Sequence, residues 1–309
     1  PVRFDIVPDD EQMLIDILNQ AIQFDFIILS GGTSKGAGDL NYHAVEKIGN
    51  PGIIVHGVAL KPGKPLCLAS LQGTPTAILP GFPTSALFTF TKFVAPVLLE
   101  MSGHPPQESF AVQATVPLRI NSPKGRTEFS LVNLVKGQAG YSAYPMGSGS
   151  GSITTFSKAD GFVEIPRQTE LLEAGTTIEV QLLGKSLRAA DLIIIGSHCV
   201  GVDYLIGEIQ KKGYLVKFIP VGSMGGIRAI KRGECDMAGS HLMDEKTGVY
   251  NAHLLNDELK LVKGYRRNQG IVFRKEDQQF SDLQVDFQKT MLKVLENPSV
   301  RMINRNRAS

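Results

Sequence analysis

Three short segments carry residue types that could hold an anion. Ser30-Gly31-Gly32-Thr33-Ser34-Lys35-Gly36-Ala37-Gly38-Asp39 follows the apolar run Phe26 to Leu29. Glycines let backbone N–H groups approach an oxyanion closely, and a carboxylate such as Asp39 suits magnesium. The segment is not a P-loop, because Gly-x-x-x-x-Gly-Lys-Ser/Thr is absent. Lys61-Pro62-Gly63-Lys64-Pro65 places two cations on a stiff turn, which suits polyphosphate. Leu79-Pro80-Gly81-Phe82-Pro83-Thr84-Ser85-Ala86 reads as strand, loop and helix start. The unpaired N–H groups of a helix N-terminus attract anions, and Ser85 adds a hydroxyl. Each segment alone reads equally as a surface turn or a helix cap. Three of them at one edge of one sheet read as an oxyanion site, since open α/β sheets bind ligands beyond the carboxyl ends of their strands.

The elements that must position these loops are legible in the hydrophobic pattern. Asp9, Asp10 and Glu11 start a helix carrying Leu14, Ile17, Leu18 and Ala21 at helical spacing. Strands are expected at Phe26–Leu29, Ile53–Leu60, Pro65–Ser70 and Thr76–Leu79, with helices at Asn41–Ile48 and from Pro83 onward. This alternation predicts an α/β fold in which a parallel sheet is covered on both faces, a three-layer arrangement. From about residue 108, five strand-like runs without an intervening helix predict a small all-β barrel. From Ala190 the α/β pattern returns. Strands at Asp191–Ile195, Leu215–Pro220 and Asp236–Gly239 alternate with helices near Val202–Lys212 and Gly222–Arg232, as in one Rossmann-like lobe. A helix over Asp282–Glu296 and a strand over Val300–Ile303 follow. The expected domains are 1–104, 108–184 and 189–309.

Composition narrows the function. Among 309 residues, 42% are hydrophobic and 20% charged, an ordinary soluble balance. No unbroken run of about 18 apolar residues marks a membrane span. Cys67, Cys199 and Cys235 are too scattered for a disulfide framework or a Cys-x-x-Cys zinc site, so a cytoplasmic location is expected. A net charge of +2 gives no reason to expect nucleic acid. The charge is divided, however. Residues 1–184 balance at −4 and residues 185–309 at +6, which favours an anionic ligand in the tail.

The three loops, together with His56-Gly-Val-Ala-Leu60 before the lysines, Gly125-Arg-Thr-Glu-Phe129 and the Gly149-Ser-Gly-Ser-Ile153 turn before Ala159-Asp-Gly161, resemble the MoeA/gephyrin type of molybdopterin molybdenumtransferase. The resemblance covers residues 1–184. It implies an enzyme that takes adenylylated molybdopterin and molybdate with Mg2+, inserts molybdenum and releases AMP. Carried over by motif, Asp39 and Asp9 serve metal or substrate, and Lys61 and Lys64 neutralise phosphate or molybdate. Gly31, Gly32 and Ser34, with Pro80, Gly81, Pro83 and Ser85, surround the substrate. Two departures stand out. Phe82 replaces an asparagine usual in the family, and the family's Thr-Gly-x-Glu strand and two N-terminal domains are expected before Pro1. The resemblance therefore implies a longer, homodimeric parent, with this piece inactive alone.

The tail resembles the periplasmic-binding-protein-like domain sometimes fused to these enzymes, through Ile195-Gly-Ser-His198, Val221-Gly-Ser-Met-Gly-Gly226 and Asp236-Met-Ala-Gly-Ser-His-Leu242. Ser197, Ser223, Gly225 and Gly226 are its candidate oxyanion donors. His198 and His241 lack a close His or Cys partner in sequence, so capping or loop roles are expected for them. A competing function is non-catalytic sensing of molybdate, tungstate or a pterin.

Overall fold

The computed structural model describes residues 1–31, 40–106, 108–147, 153–187, 189–262, 264–265, 274, 276 and 287–299. Helix α1 (Glu11–Ala21) starts where Asp10 accepts the Met13 N–H at 2.8 Å, and it buries Leu14, Leu18 and Ala21. Strand β1 (Ile27–Ser30), helix α2 (Leu40–Ile48) and strand β2 (Gly52–His56) follow. The expected strand Ile53–Leu60 is interrupted after His56; β3 (Leu60–Lys61) leaves this sheet for another. Strands β4 (Cys67–Leu71) and β5 (Thr74–Leu79) complete the order β1-β5-β4-β2.

This sheet is mixed rather than wholly parallel. β1 and β5 run parallel, while β4 is antiparallel to both β5 and β2. The cause is the two-residue turn between β4 and β5. Gln72 and Gly73 both have positive φ, at 50° and 94°, which folds the chain straight back. A parallel crossover needs a dozen or more residues. The parallel β1/β5 pair still ends Ser30 beside Leu79, so the first and third loops emerge side by side.

Helix α3 (Pro83–Thr89), a π turn (Phe90–Val94) and α4 (Ala95–Met101) form one continuous helical run of 19 residues. By length and composition alone it could cross a membrane, although threonines, Ser85 and Lys92 interrupt its apolar sequence. Its buried Phe88 and Val94 pack into the protein's own core instead.

Strands β6 (Ala111–Thr115), β7 (Ile120–Asn121), β8 (Thr127–Gly137) and β9 (Gly140–Pro145) precede helix α5 (Ile153–Lys158). Strands β10 (Gly161–Ile165), β11 (Leu171–Leu172) and β12 (Thr177–Leu182) come next. The ring β10-β12-β6-β9-β8 closes through β10–β8 pairing, giving a five-stranded barrel filled by Val116, Val132, Ile165 and Val180. Helix α5 corrects the reading of this region as free of helix. Its Phe156 packs edge-on against Phe88 at 5.8 Å, so tertiary contact overrides the weak helical propensity of Ile153-Thr-Thr-Phe.

In the tail, β13 (Leu192–Gly196) and β14 (Val216–Pro220) pair in parallel around helix α6 (Val200–Lys211), as a βαβ unit requires. Helix α7 (Gly222–Lys231) packs on β13, where a Cβ at Gly226 would lie 2.5 Å from the Ile195 carbonyl oxygen. The expected strand at Asp236–Gly239 is reduced to one bridge, Ile194 to Met237. Helix α8 spans Phe287–Glu296. Positions 282–286 and the expected strand at 300–303 lie outside the described residues.

Two apolar clusters join the parts. Leu60 and Phe88 meet the barrel's Phe129 and Leu131. Val135 and Tyr144 of the barrel meet Ile195, Ile219 and Ala229 of the tail.

Candidate functional site

A cavity of about 360 Å³ opens where the Lys61–Pro65 turn, the start of α3 and barrel strand β8 converge. The turn is held from two sides. Lys61 on β3 pairs in parallel with β8, opposite Glu128. Gly63 sits at φ 116°, and a Cβ there would come within 2.6 Å of Thr89 Cγ2 on α3. Only glycine permits both that φ and that approach. The turn thus lies flat on the helix and presents its lysines to the cavity.

The cations differ. Lys61 Nζ is 2.7 Å from Glu128 Oε1, and the Glu128 side chain is only 5% exposed. Lys64 is exposed and Arg126 half-buried. Among the described residues, neither makes an ion pair. Both line the cavity together with Ser85, Thr84 and Phe82. Phe82 is the N-cap of α3, is 62% exposed and offers no side-chain acceptor to the first helical turn. Leu60, Phe129, Leu131 and Met146 supply apolar walls. Two unpaired cations, buried hydroxyls and apolar walls suit a ligand with an anionic group and an uncharged body.

A second groove, of about 1170 Å³, runs along α1 and β1. Asp9, Ser30, Gly31 and Asn41 line it. Asn41 Nδ2 donates to the Gly31 carbonyl at 2.9 Å, and the Gly31 N–H donates to Leu79 O at 3.0 Å. A Cβ at Gly81 would stand 3.6 Å from Gly31 Cα, so the loops after β1 and β5 touch. Pro80 is buried beside them and Pro83 opens α3. The sequence candidates therefore divide. Lys61, Lys64 and Ser85 share the cavity; Asp9 and Gly31 share the groove. Gly32, Ser34 and Asp39 lie outside the described residues. The cavity also contains Arg126 and Glu128 of the Gly125-Arg-Thr-Glu-Phe129 segment, whose place in the site the sequence does not reveal.

In the tail, the candidate donors are engaged within the chain. The Ser197 N–H donates to Gly239 O at 2.9 Å. Ser223 Oγ accepts the His241 N–H at 3.2 Å and lies 3.1 Å from His241 Nδ1. Gly225 and Gly226 fall one and two positions past the N–H groups that a helix starting at Gly222 leaves unpaired. His198 pairs with Asp203 at 2.9 Å. Among the described residues, no group of three His, Cys, Asp or Glu could hold a metal.

A buried polar cluster ties the tail to the barrel. Arg232 donates from Nε and Nη2 to the two oxygens of Glu234, at 2.8 and 2.7 Å. Ser142 and Tyr144 of β9 donate to the same carboxylate. Burial alone would raise the Glu234 carboxyl, but these hydrogen bonds outweigh it and hold the group below its ordinary value. Burial and the neighbouring carboxylate push the Tyr144 hydroxyl up. Burial likewise pushes the Cys235 thiol up to about 11, which makes it an unreactive thiol.

Comparison with known proteins places these parts. Residues 1–100 match the family described as "Probable molybdopterin binding domain", residues 113–183 the MoeA C-terminal region (domain IV), and residues 206–309 the PBP superfamily domain. Molybdopterin molybdenumtransferase 2 of Mycobacterium tuberculosis is 31% identical over 177 residues, 56% of this chain and 44% of that protein. Molybdopterin molybdenumtransferase of Haemophilus influenzae is 30% identical over 166 residues, 52% and 40% respectively. The crystal structure of a molybdopterin biosynthesis MoeA protein from Pyrococcus horikoshii aligns at 35% identity and a TM-score of 0.47, over 58% of this chain and 42% of that one. The chain spans less than half the length of these relatives. Residues 1–183 are thus similar to a molybdopterin binding domain followed by a MoeA C-terminal region, and the tail of the same chain is similar to a PBP superfamily domain.

Proposed function

We propose that this chain serves molybdenum cofactor biosynthesis, in the step that inserts molybdenum from molybdate into adenylylated molybdopterin and releases AMP. The observation that carries the reading is the cavity at the Lys61–Pro65 turn, with Lys64 and Arg126 unpaired among the described residues above apolar walls. The relatives named molybdopterin molybdenumtransferase point the same way. In this reading Lys64 and Arg126 hold oxyanion oxygens and lower the cost of crowding negative charge. Ser85 and the loop Pro80–Pro83 surround the phosphate of the pterin, and Gly31 and its neighbours support that loop. Asp9 and Asp39 belong to the acidic side of the substrate site. Magnesium fits through one or two carboxylates and substrate phosphate, since it keeps most of its waters. Asp9 lines the groove together with Asp5 and Asp25. When bound, the ion would supply charge neutralisation at the phosphoanhydride. A longer homodimeric parent and a cytoplasmic location complete the proposal.

Titration calorimetry with molybdate at low and high salt tests it. Lys64→Ala and Arg126→Ala should each weaken binding by roughly tenfold at low salt, with a smaller gap at high salt. Unchanged affinity in both variants refutes the reading. In the longer parent, Asp39→Asn should abolish AMP release while leaving the fold intact.

A further inference from the structure

Lys61 and Lys64 lie three residues apart on one turn, yet their charges are not equally available. The β3/β8 register sets Lys61 opposite Glu128, and the ion pair at 2.7 Å follows from it. The second oxygen of Glu128, Oε2, is buried and has no hydrogen-bond partner among the described residues. A carboxylate in that position is poorly solvated and half satisfied, so it depends on the one cation it touches.

We propose that Glu128 is an internal competitor for the charge of Lys61 and sets the specificity of the cavity. This rests on reading the cavity as an oxyanion site. A ligand of single charge meets Lys64 and Arg126, while Glu128 keeps Lys61. A ligand with two or more charges, such as a tetrahedral dianion or a phosphoanhydride, attracts Lys61 strongly enough to share it. Glu128 therefore discriminates against weak anions by withholding one cation. Its Oε2 is closed to solvent and its Oε1 is held by Lys61. Its effect passes through the Lys61 ammonium, which makes it a positioning residue.

The test is a double-mutant cycle on the full 309-residue chain, with tungstate as the probe and circular dichroism as the check on folding. Glu128→Gln keeps the shape and removes the charge. It should bind tungstate roughly tenfold more tightly than wild type, with a steeper salt dependence. Lys61→Ala leaves the carboxylate uncompensated and should bind more weakly than wild type. The double variant should return to within about twofold of wild type, because neutral pair and neutral replacement present the same net charge. Equal or weaker binding by a folded Glu128→Gln overturns the proposal. A second readout needs no ligand. Acetylation of Lys61, followed by mass spectrometry, should accelerate several-fold in Glu128→Gln while Lys64 is unaffected; an unchanged Lys61 rate also overturns it. Loss of the cavity reading is recognised separately, by a Lys64→Ala variant with unchanged tungstate affinity.

Discussion

Lys217, on tail strand β14, reaches Asp160 of the barrel, with Nζ 2.6 Å from Oδ2 and side-chain exposures of only 17% and 9%. The same oxygen accepts the Leu134 N–H at 2.7 Å, and the ammonium also donates to Leu134 O. One carboxylate thus binds the backbone of barrel strand β8 and anchors the neighbouring lobe.

Removing either partner should be costly, but unequally. Asp160→Ala strands a buried ammonium and a backbone N–H, and should lose about 3–5 kcal/mol. Lys217→Met leaves Asp160 with its backbone donor and should lose about half as much. Urea denaturation, monitored by circular dichroism, checks the order. Equal losses would mean that the Leu134 N–H adds nothing.

Glu234 gives the barrel–tail contact a pH dependence. Its folded value is depressed, so its stabilisation is present above the ordinary 4.5 and is lost as pH falls through the lower folded value. Glu234→Gln should therefore melt below wild type at pH 7, by about 2 kcal/mol in stability, and the gap should close in strong acid. Melting curves between pH 7 and pH 3 measure this. A gap independent of pH would remove the charge from the explanation.

Gly63→Ala places a methyl group against Thr89 Cγ2 and forces alanine to φ 116°. A loss of about 1–3 kcal/mol is expected. Adding Thr89→Ser removes the obstructing methyl but not the backbone strain, so it should recover part of the loss. Thermal melts of the single and double variants separate the two contributions.

Phe82→Asn should stabilise the chain. Phe82 has extended backbone, φ −76° and ψ 126°, at an N-cap that has no side-chain acceptor. Asparagine there can accept a first-turn N–H, a gain of about 1 kcal/mol. A higher melting temperature supports this, and an unchanged one shows that the first-turn donors are already satisfied.

The layout was legible wherever local pattern and final packing agree. The spacing of Leu14, Leu18 and Ala21 is the buried face of α1, and Pro83 opens α3 as its fixed φ allows. The three loops were recognisable by their glycines and prolines, and at Gly63 the structure gives the reason, since a Cβ there would meet Thr89 Cγ2 at 2.6 Å. Partnership across the chain was not legible. Nothing local tells Lys61 from Lys64; the distinction comes from β3 joining β8, which sets Lys61 in register with the distant Glu128. Ser197 and Ser223 looked like free donors because the loop at Gly239 and His241 that occupies them is distant in sequence. Helix α5 was missed for the same reason, since Phe88 supplies its packing partner.

The closed barrel and the tail sheet differ in what they offer to other chains. Five strands in a ring present no free backbone edge, so partial unfolding elsewhere leaves that part unable to template aggregation. Strand β14 pairs on one side only among the described residues, with Lys217 and Pro220 as its guards. Lys217 is turned inward to Asp160 and therefore no longer charges that edge. Heating or acid that loosens the lobe should expose β14 first, so the tail sheet, not the barrel, sets the shelf life of the protein in concentrated solution.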